Sequence, residues 1–64
     1  MIRNFLGYFL TRTTEQDLKL FWTGKRWTVS SDQTKFYPTK KNISIAKSQL
    51  LINHPEFKIK INEA

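Results

Sequence analysis

The stretch Leu18 to Val29, Leu-Lys-Leu-Phe-Trp-Thr-Gly-Lys-Arg-Trp-Thr-Val, constrains the chain most, because it sets the two tryptophans on either side of Gly24-Lys25. A two-residue turn that begins with Gly suits a β-hairpin, since the first turn position needs a positive φ. Counting outward from that turn puts Thr23 opposite Arg26, Trp22 opposite Trp27, Phe21 opposite Thr28 and Leu20 opposite Val29. Side chains alternate across a strand. Leu18, Leu20, Trp22, Trp27 and Val29 therefore share one face, and Lys19, Phe21, Thr23, Arg26, Thr28 and Ser30 the other. The first face reads as core, and the second is basic and polar with one aromatic.

Before the hairpin, Phe5 to Arg12 has the aromatic, aliphatic and Thr content of a strand. Leu6, Tyr8 and Leu10 lie on one face and Phe5, Gly7, Phe9 and Thr11 on the other, with no pattern to say which is inward. The opening Met1 to Leu10 has a basic residue ahead of an apolar stretch, but that stretch is interrupted and no small-residue cleavage site follows. It reads as a strand rather than a leader. Thr13 to Asp17 is a short polar loop, which favours an antiparallel neighbour. After the hairpin, Ser30 to Gln33 is a second polar turn, and Thr34 to Tyr37 is long enough for a further short strand. Pro38 ends pairing there, and Thr39 is placed to cap a helix.

From Lys40 to Asn53 the spacing is helical: Ile43, Ala46, Leu50 and Leu51 share one face, which covers the tryptophan side of the sheet. Ile45 and Ile52 lie nearly opposite, where a single sheet cannot bury them. Asn53-His54-Pro55 stops the helix. Phe57-Lys58-Ile59-Lys60-Ile61 then alternates strictly, with Phe57, Ile59 and Ile61 inward and outward lysines of the kind that protect a sheet edge. The expected fold is a single α+β domain, 1–64, with a small antiparallel sheet in β-β-β-α-β order packed on one helix.

At 64 residues the core is small, and a chain of this size buries only about 60% of its unfolded surface. The chain has no cysteine, which excludes disulfides and thiolate metal sites. A single histidine, His54, with acids scattered through loops and termini, forms neither a triad nor a metal centre. With only Gly7 and Gly24 there is no phosphate-cradling loop either. The expectation is a protein that is not an enzyme and needs no cofactor or metal. No apolar run reaches the roughly 18 residues of a membrane span.

The net charge is +6, a balance that favours polyanions. Basic residues with an interleaved aromatic suit phosphate contact plus base stacking, so the candidate nucleic-acid surface is Lys19, Phe21, Thr23, Lys25, Arg26 and Thr28, with DNA as the expected partner. The tryptophans, which lie with Leu20 and Val29, are assigned to the core. The alternative is a protein-binding inhibitor or modulator of an enzyme, with no nucleic-acid binding. Its support is the apolar surface left over once one core is filled, namely one of the two faces of the first strand and the pair Ile45 and Ile52, which would also serve a weak homodimer.

Phe21-Trp22-Thr23-Gly24, Trp27-Thr28, Tyr37-Pro38-Thr39 and Ala46 resemble short, mostly uncharacterised proteins of bacteriophages and prophages, which share such a hairpin ahead of a helix. That resemblance implies a viral or mobile-element origin and a site of action in the cytoplasm of a bacterial host. A looser likeness is to three-stranded-sheet DNA-binding domains of the integrase arm type, whose sheet enters the major groove. From such a sheet only Arg12 and Arg26 could read guanine edges here.

Overall fold

The computed structural model describes residues 6–64. Its strands are β1 (Tyr8–Thr13), β2 (Lys19–Trp22), β3 (Trp27–Thr28) and β4 (Ile59–Glu63), with the helix α1 (Lys40–Asn53) between the last two. All pairings are antiparallel, in the order β3-β2-β1-β4. With α1 packed against the central strand β1 and against β4, this is the expected α+β layer in β-β-β-α-β order.

The hairpin has the expected register. Phe21 pairs with Thr28 and Trp22 with Trp27, and the Thr23 amide donates to the Arg26 carbonyl at 3.0 Å. Gly24 has φ 98° and Lys25 a negative φ, the combination a Gly-first turn supplies at no steric cost. The Thr23 hydroxyl tightens the turn by accepting from the amides of Lys25 and Arg26 at 3.3 and 3.1 Å. The tryptophan rings lie 5.2 Å apart and pack on the core. Leu18 and Val29, expected in that core, are instead exposed. They fall just outside the paired segments of β2 and β3, beyond the reach of the helix.

Strand β1 begins at Tyr8, three positions after the start expected at Phe5, and runs past Arg12 to include Thr13, which pairs with Lys19. Phe5 itself lies outside the described residues. The loop after it closes on Thr14, whose amide donates to the Leu18 carbonyl at 3.0 Å and whose hydroxyl accepts from the Leu18 amide at 3.1 Å. Asp17 takes a positive φ of 62° there, a conformation that Asp tolerates better than most residues. Leu10 is fully buried, which settles the faces of β1. Tyr8, Leu10 and Arg12 point to the helix, and Phe9, Thr11 and Thr13 point away.

Thr34 to Tyr37 does not form the further strand expected of it. The segment crosses from one strand to the next: the Lys35 amide donates to the Trp22 carbonyl at 2.9 Å, and Tyr37 exchanges backbone bonds of 2.8 and 2.9 Å with Tyr8. A segment that bridges two strands cannot run along either, so pairing is confined to Tyr8 and Tyr37. The close approach requires Gly7, at φ 123°, where an added Cβ would lie 2.6 Å from the Tyr37 carbonyl oxygen.

Thr39 caps α1, its hydroxyl accepting from the Asn42 amide at 3.2 Å. Ile43 is fully buried, and Ala46, Leu50 and Leu51 pack beside it. The His54 amide closes the last turn on the Leu50 carbonyl at 2.9 Å. In β4, Ile59 is buried and Ile61 packs on the core, as does Phe57 ahead of the strand, while Lys58 and Lys60 are exposed. Leu10, Ile43 and Ile59 thus centre a core that the tryptophans and tyrosines surround.

Candidate nucleic-acid interface

Paired residues in an antiparallel sheet project to the same side, so the register defines the face turned away from the helix. One row crosses all four strands as Thr28, Phe21, Thr11 and Lys60. Beside it, Lys19 pairs with Thr13 and Phe9 with Asn62. Three of the six expected contact residues, Lys19, Phe21 and Thr28, therefore lie on this face.

Aromatic density is greater here than the hairpin alone foretold. Phe9 and Phe21 have ring centroids 6.3 Å apart and planes inclined by 25°, and Phe36 meets Phe9 edge-on at 5.7 Å. Phe36 arrives because the crossing segment turns Lys35 and Tyr37 toward the helix side and Phe36 to the outer one. No described element covers this group, and Phe36 is 39% exposed. Beneath it, Thr11 is only 4% exposed, and the Asn62 amide donates to its hydroxyl at 2.9 Å. A buried polar group so satisfied keeps the middle of the face rigid.

The charges lie at the rim. Lys19 Nζ stands 5.5 Å from the Phe21 ring centre, and Lys60 is exposed at the end of the row. Lys25 and Arg26 are exposed at the hairpin tip. Thr23 is the expected contact whose hydroxyl is most committed, since it holds the turn; the Thr28 hydroxyl accepts from the Ser30 amide at 3.3 Å. Among the described residues the one ion pair is His54 with Glu56 at 3.7 Å. Every lysine and arginine of that set is thus without an acidic partner.

Other cations are turned elsewhere. Lys35 lies 5.1 Å from the Tyr37 ring and Lys40 5.9 Å from the Tyr8 ring, both beside the helix. Arg12, expected as a reader of guanine edges, is on the core face. Its guanidinium carbon sits 3.6 Å over the Phe57 ring and 5.8 Å from Trp27, with Nε buried and unbonded. His54 stacks on Phe57 at 4.5 Å; two planar groups so close must take opposite faces of the ring. The guanidinium is a flat plug at the end of the core, which leaves Arg26 as the arginine of the described residues on offer to a nucleic acid.

Sequence reasoning missed Phe9, Phe36, Thr11 and Asn62. The alternation of β1 carried Phe9 as one of two possible faces, and only burial of Leu10 decides between them. The protein-interface candidates lie far from this face, on α1: Ile45 is 50% and Ile52 78% exposed. Among the described residues there is no cluster of three side chains that could hold a metal ion, and no helix long and apolar enough to cross a membrane. The chain matches no known protein family, curated protein or solved structure.

Proposed function

We propose that the protein is a small accessory factor, of the phage or mobile-element kind, that binds nucleic acid through the sheet face opposite α1. The observation that carries this reading is the uncovered group of Phe9, Phe21 and Phe36 with Lys19 beside it and unpaired cations at the rim. Aromatic rings supply stacking and cations supply phosphate contact, a pairing suited to nucleic acid. On this reading it acts without catalysis, in the cytoplasm of a bacterial host. Fluorescence anisotropy with labelled DNA over a salt series tests it. Affinity should fall linearly on a log–log plot, with a slope set by the number of phosphates neutralised. Lys25→Ala and Arg26→Ala should each make that slope shallower by about one. Absence of binding at low salt would sink the reading.

A second reading rests on Ile45 and Ile52, an exposed aliphatic pair of the kind that marks protein contacts. In it the protein modulates a host enzyme of defence or transcription. A partner retained after nuclease treatment, and released by Ile45→Lys with Ile52→Lys, would favour this reading over the first.

A further inference from the structure

We infer that this face takes nucleic acid as a single strand, held by bases laid on Phe9, Phe21 and Phe36 while Lys19 and Lys60 follow the phosphates. The inference rests on the nucleic-acid reading above and specifies its ligand. Phe9 and Phe21 lie 6.3 Å apart, ring centre to ring centre, nearly twice the roughly 3.4 Å step of one strand in a duplex. Bases stacked on one another at that step cannot each meet a ring. A strand whose bases are splayed can, and only an unpaired strand presents its base faces at all.

The duplex alternative is short of readers: of the arginines among the described residues only Arg26, at the hairpin tip, is exposed. Base-edge recognition in the major groove relies on bidentate arginine, asparagine or glutamine. On this side of the sheet Arg12 is absent, since it stacks on Phe57 beneath the opposite face. Asn62 is occupied within the sheet: its amide reaches the Thr11 hydroxyl at 2.9 Å and the carbonyls of Lys60 and Phe9 at 3.2 and 3.4 Å. Apart from Arg26 at its rim, what the face offers is ring surface and charge, which read no sequence.

Three probes at one low salt concentration decide the matter with the intact protein: a labelled oligo-dT, a duplex of equal length, and an abasic strand that keeps the phosphates and lacks the bases. The oligo-dT should bind at least about fivefold tighter than the abasic strand, the loss of one stacked base, and tighter than the duplex. Phe21→Leu and Phe36→Leu, which keep apolar bulk, should weaken oligo-dT binding and leave the abasic strand unchanged. Equal affinity for all three probes would overturn the single-strand inference and leave the nucleic-acid reading standing, whereas no binding to any of them would remove both.

Discussion

Two arginines that look alike in the sequence do opposite things in the fold. Arg12 packs its guanidinium on Phe57 near Trp27, where planar stacking offsets the cost of a buried, unbonded Nε. Arg26 stands exposed beside the turn. Arg12→Ala should therefore lower stability by about 1–2 kcal/mol through lost packing. In a domain this small each kcal/mol corresponds to about 4–8 °C in Tm. Arg26→Ala should stay within about 0.5 kcal/mol and act on nucleic-acid affinity instead. Thermal melts of the two variants check the contrast, and equal shifts would contradict the placement of Arg12. Gly7 gives a second test at this scale. With φ at 123° and an added Cβ only 2.6 Å from a backbone oxygen, Gly7→Ala must move either β1 or the Tyr37 segment. It should cost more than about 1 kcal/mol, beyond the ordinary gain from stiffening the unfolded chain. A variant as stable as the parent would show that the crossing yields easily.

The hairpin is the element that organises the others, because its two faces serve different ends. Toward the helix, Trp22 and Trp27 contact each other at 5.2 Å and extend the core past Leu10 and Ile43. Away from it, Phe21 joins Phe9 in the uncovered aromatic group. A double-mutant cycle of Trp22→Leu and Trp27→Leu, followed by chemical denaturation, should return a coupling of about 0.5–1.5 kcal/mol, as for other aromatic pairs in contact. Additive losses would mean that each tryptophan is held by the core alone. The helix, by contrast, leaves one of its stripes unused. Ile43, Ala46, Leu50 and Leu51 meet the sheet, while Ile45 and Ile52 remain outside.

At the scale of the whole molecule, β4 decides what can cover that stripe. It pairs with β1 along five residue pairs, so it lies in the sheet layer and cannot fold over α1. Ile45 and Ile52 are seven residues, about 10 Å, apart along the helix axis, a spacing that two antiparallel copies can match across a twofold axis. A weak homodimer through this stripe is the expected outcome, enlarging a core that is small for a lone chain. Sedimentation at several concentrations checks it. A monomer at high micromolar concentration, or a dimer indifferent to Ile45→Lys with Ile52→Lys, would assign the stripe to a different partner.

Local signals were enough where a turn, a cap or the side-chain period acts within one element, though not for Thr34 to Tyr37, whose expected strand does not form. Gly24 fixed the hairpin register, Thr39 and Pro55 bounded the helix, and the alternation of Phe57, Ile59 and Ile61 oriented the last strand, because turn geometry, capping and side-chain period act over a few residues. What the sequence left open was set by contacts between distant segments. Which face of β1 is inward follows from Leu10 meeting Ile43 and Ile59. Arg12 turns to the core because Leu20 and Ile59 flank it in the register and Phe57 lies over it. Phe36 joins Phe9 because Lys35 and Tyr37 bond across to Trp22 and Tyr8. None of these is a property of one strand or one helix, since each needs two segments brought together by burial of a shared core.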